Sequence, residues 1–70
     1  MAVGRVRAYR SHAGFGFITP SHQCGDVFVQ ADDIEEPEPI LVPGEMVEYE
    51  PEVGVDGQLR AVHVHGVLSA

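Results

Sequence analysis

Seventy residues, 44% hydrophobic and 21% charged, make room for one small packed domain over 1–70 and exclude a disordered tail. A lone cysteine, Cys24, excludes an intrachain disulfide. The formal net charge of −7 excludes a uniformly basic nucleic-acid binder, yet the charge is polarised: Arg5, Arg7 and Arg10 lead the chain, and all eleven acidic residues fall between Asp26 and Asp56.

Along the chain, short stretches of β-branched and aromatic residues alternate with turn signals, the pattern of an all-β protein. A first strand is predicted over 3–10 and a second over 14–19, separated by a turn at 11–14. A third comes over 26–30, with room for a short helical turn over 31–34. Pro37, Pro39 and Pro43 keep 35–44 out of helix and sheet and predict a long exposed loop. A fourth strand over 45–50 and a fifth over 58–66 flank Asp56-Gly57, a hairpin signal because both residue types tolerate positive φ. Nothing shows sustained 3.6-residue periodicity, so no substantial helix is expected. Five short strands at this size avoid exposed edges by closing, and a five-stranded antiparallel Greek-key barrel of the OB type is the common solution.

All three phenylalanines lie in two neighbouring strands, in Gly14-Phe15-Gly16-Phe17-Ile18 and Asp26-Val27-Phe28-Val29-Gln30. Side chains alternate across a strand, so Phe15 and Phe17 share one face of theirs, and Phe28 and Gln30 share one face of the next. If Ile18, Val27 and Val29 point inward, the three rings point outward together as an aromatic platform on which bases stack. The opposite parity makes the rings core and leaves Ile18, Val27 and Val29 in water. Period-2 patterning alone does not choose between them. On the first reading Arg5, Arg7 and Arg10 meet phosphates, and Gln30 and Asp26 offer hydrogen bonds to base edges. His12, in the turn beside the patch, adds a cation when protonated.

The tandem Gly14-Phe15-Gly16-Phe17-Ile18-Thr19-Pro20 and Asp26-Val27-Phe28-Val29 resembles the RNP1-like and RNP2-like motifs of bacterial cold-shock proteins, and the likeness extends over nearly the whole chain. The resemblance implies an OB-type barrel binding single-stranded RNA or DNA through surface aromatics, as an RNA chaperone or a regulator of transcription or translation. It places Phe15, Phe17 and Phe28 as stacking residues, with Arg7 at the site of a family lysine. The chain departs from the family where Trp-Phe is replaced by Ala8-Tyr9, His-Phe by Gln30-Ala31, a lysine by Ala13 and a loop aromatic by Glu38. Each stacked base contributes about 1–3 kcal/mol, so weakened affinity is expected, partly recovered by Tyr9 and the arginines.

Other features suggest less. His63 and His65 share a strand face without further ligands nearby, so no metal or cofactor is expected. Asp32-Asp33 and Glu35-Glu36 read as a solvated acidic loop, and Cys24 as an inert loop thiol. No nucleophile–base pairing or phosphate-cradling loop is present, and no enzymatic activity is expected. There is no apolar run of signal-peptide or membrane-span length, so a cytoplasmic protein without membrane partners is expected. A second reading is a protein-interaction or homodimerisation module that kept the barrel and lost most of its nucleic-acid binding.

Overall fold

The computed structural model describes residues 1–22, 25–35 and 40–67. Five strands form in order: β1 (Ala2–Arg10), β2 (Phe15–Pro20), β3 (Val27–Gln30), β4 (Met46–Val53) and β5 (Leu59–Gly66), with a 3₁₀ turn at Ala31–Asp33. They close into a barrel in the order β1-β2-β3-β5-β4. Pairing is antiparallel except at the closing seam, where β3 meets β5 in parallel through Phe28↔Arg60 and Val29↔Ala61.

Alternation decides the inside. Val6, Ile18, Val27, Val29, Val47, Tyr49, Ala61 and Val64 are sealed in the barrel, joined by Ile34 and Leu41. None of the described polar or charged side chains is buried among them. Gly16 belongs to this inner face because nothing larger fits: a Cβ there would lie 2.4 Å from the Ala8 carbonyl oxygen and 2.8 Å from the Tyr9 ring. The strand therefore presses against β1, and the sheet curls tightly at that point.

Two turns set the registers. Between β1 and β2, the N–H groups of Ala13 and Gly14 donate to the Arg10 carbonyl at 3.1 and 2.8 Å, and Gly14 takes φ +77°. Between β4 and β5 the Asp56-Gly57 hairpin signal falls in a loop at 54–58. Gly57 alone of that pair takes positive φ. Asp56 instead accepts the Gln58 N–H at 3.0 Å through its carboxylate, the side-chain turn that aspartate favours.

The prolines do not keep the connection before β4 wholly exposed. Leu41 is 3% accessible, whereas its neighbours Ile40 and Val42 are 51% and 62% accessible, so one residue of the three plugs the barrel. Cys24 and 36–39, including Pro37, Glu38 and Pro39, lie outside the described residues. β4 also runs three residues past the predicted end, through Pro51. The last β1 partner of β4 is Tyr49, paired with Ala2. Beyond it β4 has a free edge on that side, where a strand tolerates proline.

Candidate nucleic-acid interface

With Ile18, Val27 and Val29 fully buried, the intervening Phe15, Phe17 and Phe28 stand on the outer wall. The registers Phe17↔Phe28 and Phe15↔Gln30 bring the rings together. Ring centroids are 5.8 Å apart for Phe15–Phe28 and Phe17–Phe28, and 6.3 Å for Phe15–Phe17. Interplanar angles of 32°, 63° and 84° make this a cluster of edge-on and tilted contacts, the arrangement that ring quadrupoles favour. The rings are half-buried by one another and by the sheet, with the remainder open to solvent.

A bulge in β1 decides what flanks them. The β1–β2 register shifts between Val6 and Ala8, which leaves Arg7 and Ala8 both outward and reverses the parity of the strand from Ala8 onward. Ala8 then pairs with Phe17, Tyr9 with Gly16 and Arg10 with Phe15. Arg10 and Ala8 consequently border the rings. Tyr9 turns the other way: it packs against the core with its ring over Gly16, and so is not brought to the aromatic cluster. Regular alternation places Tyr9 outward with Arg7, and the extra residue overrides it.

The other predicted site residues divide between the cluster and its margins. Gln30 is exposed beside Phe15. Arg7 and Asp26 form an ion pair at the edge of the cluster, and Asp26 also accepts from the Thr19 hydroxyl at 3.3 Å. Arg5 donates to the Gly44 carbonyl at 2.9 Å, which draws its guanidinium toward β4. His12 stands exposed in the turn before Phe15.

Arg60 is a neighbour that sequence reasoning did not bring to the site. It sits opposite Phe28 across the parallel seam, extending the row Ala8–Phe17–Phe28. Beside it opens a groove of about 330 Å³ lined by Phe28, Gln30, Val55, Asp56, Gln58 and Arg60. Local patterning could not have found it, because β3 and β5 lie some thirty residues apart in the chain.

The β4–β5 wall carries different chemistry. His63 Nδ1 lies 2.6 Å from Glu35 Oε2, and His65 Nε2 lies 2.9 Å from Glu48 Oε1. Both imidazoles are shifted upward in pKa, chiefly by those hydrogen bonds to carboxylates. A second register shift, between Glu48 and Glu50, accompanies φ +52° at His63, so both histidines point out of the barrel. Among the described residues no three His, Cys, Asp or Glu side chains converge as metal ligands, and no helix is long and apolar enough to cross a membrane.

A closed five-stranded barrel with an outward aromatic cluster on its second and third strands is the architecture of an OB-type binding domain. The chain belongs to the 'Cold-shock' DNA-binding domain family, whose profile matches residues 2–67. It is 44% identical over 66 residues to "Glycine-rich protein 2" of Nicotiana sylvestris, covering 93% of this chain and 31% of that one. It is also 49% identical over 35 residues to a "Cold shock protein" of Arthrobacter globiformis, covering 50% of this chain and 52% of that one. The chain thus spans about a third of the plant relative. Its fold matches that of "drosophila Unr CSD456" with a TM-score of 0.80, over 96% of this chain and 26% of that one, at 15% identity.

Proposed function

We propose that this chain binds single-stranded RNA or DNA by stacking bases on Phe15, Phe17 and Phe28, without catalysing a reaction. The observation that carries this reading is the outward cluster of three rings over a core that contains Ile18, Val27 and Val29. Aromatic faces are sequence-tolerant platforms for bases, and family membership supports the same ligand class. Arg7 and Arg10 meet the phosphates of a strand laid across β1–β3. Gln30 and Asp26 offer amide and carboxylate groups to base edges.

Affinity is low on this reading. Ala8 stands beside Phe17 and Ala31 comes directly after Gln30, where relatives resembling this chain place aromatic side chains. The acidic outer face of β4, with Glu48, Glu50 and Glu52, repels phosphate and helps confine the strand to the aromatic wall. Binding of this kind serves an RNA chaperone or a regulator of transcription or translation.

Titrating isotope-labelled protein with heptathymidine at low salt tests the reading. Amide resonances of Phe15, Phe17 and Phe28 shift, and the affinity falls with added salt as counterions are released. Unmoved resonances at those three positions with millimolar ligand would refute it. A concentration-dependent, salt-insensitive self-association through the same residues would assign the wall to a protein partner instead.

A further inference from the structure

We infer that the groove between Phe28 and the β4–β5 loop is a base-reading subsite selective for guanine, with Arg60 as its specificity-determining residue. The inference rests on the binding reading above and extends it to a part of the wall that the phenylalanines do not reach. Three observations converge on it.

The first is shape and place. The groove, about 330 Å³, is walled on one side by Phe28 and on the other by Val55, Asp56 and Gln58. It therefore continues the aromatic row across the β3–β5 seam. A base stacked at its inner edge touches Phe28 with its face and turns its polar edge toward the loop.

The second is the state of Arg60. Its Nε is the one buried side-chain polar atom among the described residues with no hydrogen-bond partner. Its terminal nitrogen meets Glu52 at a loose 3.8 Å, with both side chains about half exposed. An exposed pair at that distance holds a guanidinium weakly, so the fork turns into the groove at little cost, where a ligand acceptor satisfies it.

The third is charge. Glu52 pairs with Arg60 and Asp56 lines the same groove, so the groove is a poor seat for a phosphate and a good one for an uncharged base edge. A guanidinium fork matches the paired acceptors O6 and N7 of guanine. Asp56 already accepts the Gln58 N–H through one oxygen, and its other oxygen accepts from the N1–H and exocyclic amino group that guanine presents side by side; thymine has a ring N–H but no amino group. Adenine offers an amino group where the fork needs an acceptor, and is disfavoured.

The test is a set of fluorescein-labelled heptathymidines with a single guanine or adenine at each position in turn, measured by anisotropy at low salt. Wild type binds one guanine-containing heptamer about tenfold more tightly than its adenine counterpart, the discrimination expected of a bidentate contact. Arg60→Gln, checked as folded by its melting curve, loses that preference and binds the guanine and adenine heptamers alike. Asp56→Asn, which retains the turn-forming oxygen, weakens the preference without abolishing thymidine binding. Equal guanine and adenine affinities in a wild type that binds heptathymidine overturn the subsite and spare the aromatic platform. Guanine preference surviving in Arg60→Gln overturns the role of Arg60. Failure of wild type to bind any heptamer overturns both readings together.

Discussion

The β1–β2–β3 wall and the β4–β5 wall obey the same inward alternation, with Ile18, Val27 and Val29 on one side of the core and Val47, Tyr49, Ala61 and Val64 on the other. Their outer residues share almost nothing. The first wall displays three phenylalanines bordered by Arg7, Arg10 and Gln30. The second displays Glu48, Glu50 and Glu52 with His63 and His65. The inward positions hold one kind of residue because burial admits little else. The outward positions are free of that demand, so their chemistry reports what each surface does. Clustered rings on the outside of a barrel are the residues burial does not explain.

Neighbouring residues on opposite faces give the sharpest way to break this comparison. Ile18→Ala opens a cavity at a fully buried site and lowers stability by about 2–5 kcal/mol in urea unfolding. Phe17→Ala, one residue away, leaves the barrel folded with a much smaller loss. Its effect falls on affinity, about 1–3 kcal/mol in a heptathymidine titration. If Phe17→Ala unfolds the protein as Ile18→Ala does, the division of labour between the faces is wrong.

Smaller effects sharpen the contrast. Arg10→Gln removes a charge from the aromatic wall and lowers the log–log salt slope of single-strand binding by about 0.7, whereas Glu50→Gln on the other wall does not flatten it. The smallest effect is a pH dependence from the second wall. Folding raises the pKa of His63 and His65, so the stability gained from pairing protonated imidazoles with Glu35 and Glu48 is fully present below the unfolded histidine pKa. It is lost as pH rises through the folded values. The melting temperature therefore falls slightly from about pH 6 to about pH 8, and Glu35→Gln with Glu48→Gln flattens that fall.

Much of the molecule was legible in the sequence. Period-2 alternation placed five strands within a few residues and paired Phe15 with Phe17 on one face, but left open which face was inside; the burial of Ile18, Val27 and Val29 chose. What escaped was whatever two distant segments decide jointly. The bulge at Arg7 has no local signature, and it moved Tyr9 from the aromatic wall to the core side. Ile40, Leu41 and Val42 look alike in sequence, and only the barrel's open end selects Leu41. Arg60 reads as an isolated charge until β5 is laid beside β3. Asp56 was correctly placed in a turn, but its role there is that of a side-chain acceptor and not of a left-handed backbone.

The meeting of β3 and β5 joins segments far apart in the chain through only two paired residues on each strand, so few contacts offset the entropy of closing it. Phe28 and Arg60 straddle that join. A nucleotide bridging them would act as a rivet across the suture, slowing amide exchange at Val29 and Ala61 and raising the melting temperature as ligand excess grows.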